Sequence, residues 1–418
     1  MKRLTLILSA LLFVCLLVGC TPKGPEEETP GVPEESFNAE DLPYYEEEID
    51  NLKYTYTEEE RLRPYWMGNV MYNEQLMVVE KDGKTEGHLL YEPKRVISVR
   101  DWTLQKEYKE GEDYIVQGNT ITLPEGSEIP VFKDEWSRGI NIPEGYPEGN
   151  AGTGYQMIGD DGTVMYTETG LIYKNYIHVT YAYDPSDVDR TKVKEYSGEL
   201  YGLEQKIENK EKIKMVVYGD SISEGHSSSE LWNHEPYSPP YAKLVKRGLE
   251  LYGGVEVEYN NMSVGGKDSD WAADPVQLEM LSKLAPDFLI VAFGTNDPMN
   301  NLVGNMYRSN IEAIVETAKT VNSECQILLV APFPSNEKMK TAECHRLICN
   351  NLQGIAEETN YLDVGYVSMY EGCLEMLKTK NYYEIAGNNA NHPNDFIHRF
   401  YAMNILCTIF DFNTFVST

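Results

Sequence analysis

The sequence predicts an α/β domain with a parallel sheet covered on both faces, preceded by an all-β sandwich or jelly-roll domain. Three observations carry this. After about Leu203, continuous apolar runs alternate with amphipathic helical stretches, the grammar of strands buried on both faces. From about Leu52 to Glu204, short alternating segments are separated by Gly, Asp, Asn and Pro, with few helical stretches. The chain has 418 residues, long enough for two or three domains.

The N-terminus reads as a targeting segment. Lys2 and Arg3 form a positive start, and Leu4 to Val18 is an apolar stretch too short for a comfortable membrane span. It ends in Leu17-Val18-Gly19-Cys20, which looks like a bacterial lipobox, so residues 1–19 are expected to be a lipoprotein signal peptide and Cys20 the lipidated residue. Residues 20–50 are rich in Pro and Glu, and Pro25 to Asp50 carries no Lys or Arg, as a self-repelling tether would. The expected localisation is an exported lipoprotein at the cell surface, touching the membrane through its lipid alone. The remaining cysteines, Cys325, Cys344, Cys349, Cys373 and Cys407, are odd in number and sit mostly in apolar or helical contexts. They read as buried thiols rather than a disulfide framework.

Residues 51–205 form the expected β-sandwich. Its strands are Leu76-Met77-Val78-Val79, Val96 to Val99, Tyr114 to Val116, Thr120 to Leu123 and Tyr176 to Tyr181, with a hairpin turn at Gln117-Gly118-Asn119. Tyr and Trp are plentiful here and could stack on sugars, although aromatic strand residues commonly just pack a sheet. Residues 206–418 form the expected parallel-sheet domain. Its strands are Lys214 to Tyr218, Val255 to Asn260, Phe288 to Phe293, Gln326 to Ala331 and a short one near Leu362 to Val364. Helices are expected over Pro240 to Tyr252, Pro275 to Leu284, Met306 to Val321 and Lys340 to Glu358. In such sheets ligands sit at the carboxyl ends of the strands.

Those ends carry small polar clusters. They are Gly219-Asp220-Ser221, then Asn261-Met262-Ser263-Val264-Gly265-Gly266, then Gly294-Thr295-Asn296-Asp297. Asn391-His392-Pro393-Asn394-Asp395-Phe396-Ile397-His398 follows near the C-terminus. Singly each suits a turn or a helix cap. Together they suit acyl transfer: a serine needs a base, the base needs an acceptor on its other nitrogen, and the oxyanion needs fixed donors. Asp395 and His398, three apart after Pro393, would share the first turn of a helix.

The four clusters resemble the four blocks of the SGNH (GDSL) hydrolase family: Gly-Asp-Ser, a Gly after Asn-x-Ser, Gly-x-Asn-Asp, and Asp-x-x-His. The resemblance covers roughly Glu211 to Phe410, with Ile222 where the older family name expects Leu. It implies a three-layer, flavodoxin-like fold. It also implies Ser221 as nucleophile, His398 as base, Asp395 as acid, and Ser221, Gly266 and Asn296 as the oxyanion hole. Gly266 is preferred over Gly265 because the family glycine sits three residues after the Ser of Asn-x-Ser. The overall layout is similar to bacterial carbohydrate acetyl esterases.

The function expected is therefore a serine esterase removing acetyl or other short acyl groups from a polysaccharide or oligosaccharide through an acyl-enzyme, with no cofactor. A lipase, lysophospholipase or thioesterase is the alternative within the same chemistry, and a non-catalytic glycan-binding lipoprotein the alternative outside it. The balance of 67 acidic to 36 basic residues argues against nucleic acid as a partner. No metal is expected, because His392, Asp395 and His398 spread around a helix at their spacing. His392, just before Pro393, reads as a loop or capping histidine rather than a second base. The polar loop from Gly225 to Pro239, with His226, Trp232 and His234, is long enough to rim a cleft. Asp220 and Asp297 are expected to hold turns rather than react.

Overall fold

The computed structural model describes residues 47–49, 52–54, 57–358 and 363–414. The signal segment, the lipidation site Cys20 and most of the tether lie outside these residues. Among the described residues no helix is long and apolar enough to cross a membrane.

The first half contains two main sheets. One is antiparallel and orders Val70–Leu76, Ile177–Tyr183, Pro93–Arg100 and Glu107–Tyr108. The other orders Val131–Lys133, Val78–Lys81, Lys84–His88, Thr120–Thr122 and Ile115–Gln117. The expected strand Leu76-Met77-Val78-Val79 is divided between them. Met77 leaves the ladder, and its N–H donates instead to Glu384 Oε1 at 3.2 Å, which lets the chain cross from one sheet to the other. The hairpin is as the sequence predicts: Gln117 pairs with Thr120, and Gly118 takes φ of 57°, a conformation glycine adopts without a Cβ penalty.

The second half is one parallel sheet of β1 (Ile213–Gly219), β2 (Val257–Asn261), β3 (Phe288–Ala292), β4 (Gln326–Ala331) and β5 (Val364–Ser368), in the order β2-β1-β3-β4-β5. Alternate residues feed two cores. Met215 and Val217 pack with helices Tyr241–Gly253 and Asp395–Leu406 on one face. Val216 and Tyr218 pack with helices Asn305–Val321 and His345–Glu358 on the other. Burial on both faces explains the unbroken apolar runs. Several boundaries move, among them the start of the second strand, at Val257. The last strand starts at Val364, and residues 340–344 form a 3-10 turn before the helix begins at His345.

The halves share a core within one compact unit. Tyr65 and Trp66 pack on Phe400 with ring centroids 6.3 and 5.8 Å away. Glu74 of the first half and Lys380 of the second form a fully buried ion pair, and Tyr181 adds its hydroxyl to Glu74. Cys325, Cys349, Cys373 and Cys407 are buried free thiols, as the sequence predicts.

Candidate active site

The order β2-β1-β3 makes the loops after β1 and β3 diverge, opening a crevice at the sheet's carboxyl edge. β1 ends there at Gly219, where a Cβ would meet Ala292 O at 2.7 Å and Ser223 Oγ at 2.3 Å, so only glycine fits. Asp220 then caps the short helix Ser221–Glu224, accepting from the Ile222 N–H at 3.0 Å. Burial pushes the Asp220 carboxyl up to about 6. The turn presents Ser221 toward the crevice, with 4% of its surface exposed.

The histidine that meets this serine is His392, which the sequence marks only as a loop or capping residue. Its Nε2 stands 2.9 Å from Ser221 Oγ. Residues 388–392 form a tight turn in which Asn388 Oδ1 accepts from the N–H groups of Ala390, Asn391 and His392 at 2.9, 3.0 and 3.1 Å. Pro393 biases the residue before it away from helix, which leaves His392 on the loop and outside the helix that follows. Asn389 has φ of 60° and donates to the carbonyls of Ser137 and Met165, fastening the turn to the first half.

The other ring nitrogen of His392 is held from that first half. Its Nδ1 lies 3.1 Å from Glu168 Oε1, which fixes the tautomer with the proton on Nδ1 and the Nε2 lone pair facing Ser221. Glu168 follows the strand Val164–Tyr166 and is a hub. Tyr166 Oη and Asn388 Nδ2 donate to Oε1 at 3.0 and 3.3 Å, and Ser227 Oγ donates to Oε2 at 3.1 Å. Burial works to raise its carboxyl, but the hydrogen bond and charge of His392, with the bonds from Tyr166 and Asn388, prevail and hold it below the ordinary range.

His398 and Asp395 are placed elsewhere, which corrects the expectation that they serve Ser221. His398 is wholly buried; its Nε2–H donates to His226 O at 3.0 Å and its Nδ1 accepts from the Tyr241 N–H at 3.4 Å. Both nitrogens are occupied, and burial pushes the imidazole down to about 4. Asp395 Oδ1 accepts from the Ser229 N–H at 2.8 Å, and burial raises its carboxyl to about 6. The physical reason is the helix: Asn394 is its cap, and every residue of Asp395–Leu406 is buried, so a first-turn pair faces the core and not the crevice.

Gly266 and Asn296 lie at the ends of β2 and β3. Gly266 has φ of 75° and open space where a Cβ would point. The loop carrying it is zipped to β1, with the Val264 N–H donating to Gly219 O at 3.2 Å and the Gly265 N–H to Glu224 Oε2 at 2.7 Å. Asn296 is buried and gives one amide hydrogen to Lys267 O at 2.8 Å, so its second amide hydrogen is available to a ligand. Asp297 accepts from the Ser269 N–H at 2.9 Å, and burial raises it to about 7. Like Asp220, it holds a turn, as the sequence predicts. In the loop from Gly225 to Pro239, the His234 ring stacks on Tyr173 at 3.7 Å, while Trp232 keeps 41% of its surface exposed.

The family of GDSL-like lipases and acylhydrolases matches residues 217–400. No curated protein matches the chain. Among solved structures, a two-domain esterase active on acetylated mannans, crystallised with mannopentaose, is 21% identical with a TM-score of 0.40, over 51% of this chain and 53% of that one. The chain thus spans about half the length of that esterase. The acetylxylan esterase Axe2 of Geobacillus stearothermophilus is 20% identical with a TM-score of 0.38, over 46% of this chain and 92% of that one. The segment 217–400, which supplies both Ser221 and His392, matches the model of the GDSL-like lipase/acylhydrolase family.

Proposed function

We propose that this protein is a serine esterase that removes short acyl groups, acetyl above all, from carbohydrate. The observation that carries the reading is the chain of contacts Ser221 Oγ to His392 Nε2 at 2.9 Å and His392 Nδ1 to Glu168 Oε1 at 3.1 Å. Ser221 attacks the ester carbonyl as its hydroxyl proton passes to His392 Nε2. Glu168 stabilises the imidazolium through Nδ1–H and keeps the ring from turning. The tetrahedral oxyanion is met by the backbone N–H groups of Ser221 and Gly266 and the amide of Asn296. Collapse breaks the bond to the sugar oxygen, which leaves with the proton from His392. Water then gives its proton to the same nitrogen and adds to the acyl-enzyme, and collapse frees the acid and restores Ser221.

A short acyl group is favoured because the side chains shown against His392, Glu168 and His226, and Glu224 beyond His226, are polar or charged. The exposed Trp232 indole beside this rim offers a face to a sugar ring. Initial rates on p-nitrophenyl esters of two to twelve carbons, and acetate release from acetylated mannan and xylan, test the reading. It expects acetyl to lead and the release to vanish in Ser221→Ala; a rate that rises with chain length would replace it with a lipase.

A further inference from the structure

A third histidine stands over the pair. His226 follows the nucleophile's helix, and its ring lies 5.1 Å from that of His392, at 67° to it. One nitrogen of His226, one of His392 and a carboxylate oxygen of Glu168 all lie within 4.8 Å of one another. Ligand atoms bound to a tetrahedral zinc at about 2.0–2.1 Å stand roughly 3.3 Å apart. Glu168 Oε1 and His392 Nδ1 already keep 3.1 Å, so a modest inward swing of His226 completes a three-ligand face. Two imidazoles and a carboxylate suit zinc, copper or nickel better than magnesium or calcium.

His226 Nε2 lies 3.5 Å from Glu224 Oε2, a second carboxylate, and 27% of the histidine side chain is exposed.

We propose that Glu168, His226 and His392 form an inhibitory site for zinc or a similar divalent transition-metal ion. Either mode of ligation removes the base. Bound through Nε2, the metal takes the lone pair that faces Ser221. Bound through Nδ1, it displaces that proton to Nε2, where the ring can no longer accept from serine. No net proton is lost from His392, and Glu168 exchanges its hydrogen bond for a metal–oxygen bond. The ion's binding stands on geometry alone; its inhibitory effect rests on the hydrolytic reading above.

Titration of the full chain with zinc against a chromogenic chelator, in parallel with p-nitrophenyl acetate hydrolysis, tests this. Wild type is expected to take up one tightly held ion per chain and to lose hydrolysis as it binds, with recovery on adding EDTA. His226→Ala is expected to bind zinc at least about tenfold more weakly than wild type, and its hydrolysis to lose sensitivity to zinc in the same proportion. His226→Asn repeats the comparison with a polar side chain, should the alanine variant fold poorly. Equal zinc affinity in wild type and both variants, or no tight uptake by wild type, overturns the proposal. Tight uptake lost in the His226 variants, with no ester cleaved by any form, would refute the esterase and leave the metal site standing.

Discussion

His392 and His398 are six positions apart and live in opposite worlds. His392 sits on a turn, before a proline, with one nitrogen on Ser221 Oγ and the other on Glu168. His398 sits one turn inside a helix that is buried all round, with both nitrogens spent on backbone groups. The contrast teaches that a catalytic histidine is defined by a free lone pair aimed at the nucleophile and a fixed proton on the opposite nitrogen. Nearness in sequence to a carboxylate is a poor guide. Asp395 is next to the right motif and braces Ser229, whereas Glu168 comes from another sheet system and holds His392, the proposed base.

The contrast can be broken by substitution. Ser221→Ala and His392→Ala should each lower kcat on p-nitrophenyl acetate by roughly 10⁴- to 10⁶-fold, and the double variant by no more than either, because the pair acts as a unit. Glu168→Gln should lower kcat by about 10³- to 10⁴-fold with little change in KM, since an amide cannot stabilise the imidazolium. A fall of tenfold or less would remove Glu168 from its assigned place. Asp395→Asn and His398→Gln should by contrast keep activity within about tenfold, an upper bound well below the loss of a triad member.

His398 sharpens the contrast through pH. Its folded value of about 4 lies below the unfolded value of about 6.5, so its contribution to stability is full above pH 6.5 and is lost as pH falls toward 4. The loss amounts to about 3 kcal/mol. Asp395 runs the other way: raised to about 6, it withdraws stability as pH rises from about 4 to 6. The two offset each other in wild type, so the measurement is the difference in denaturation midpoint between wild type and His398→Gln across pH 4 to 7. The variant should lack the acid-side decline. The smallest effect belongs to Asn389, three residues before His392, where the Asp-x-x-His block would put its acid. Asn389→Asp loses two donated hydrogen bonds and should cost about 1–3 kcal/mol, read by thermal or urea denaturation, without rescuing Glu168→Gln.

Much of the scaffold was legible. The parallel strands announce themselves through continuous apolar runs, and Ser221, Gly266 and Asn296 through small residues at their ends. The block around His392 was legible only in part: Asn389-x-x-His392 has the spacing of Asp-x-x-His with its acid exchanged for an amide, while Asp395-x-x-His398 fits the letters and folds into the core. The residue before Pro393 was the available signal, because proline keeps its predecessor out of the helix. Glu168 carried no local mark. It is one of 67 acidic residues, and only the packing of the two halves brings it 224 positions along the chain to His392. Met77 was hidden for a similar reason, since the partner that pulls it from the sheet, Glu384, is 307 positions away.

The threefold grip of Glu168 on His392, Asn388 and Ser227 makes the catalytic centre a joint between two architectures. The hydrolase half therefore cannot be traded between proteins as a self-sufficient cassette. Any recombination that separates the region around residue 168 from the region around residue 392 leaves a serine and a histidine without the carboxylate that completes them. Selection for the proposed activity must conserve the fit of the β-rich half as strictly as the nucleophile itself.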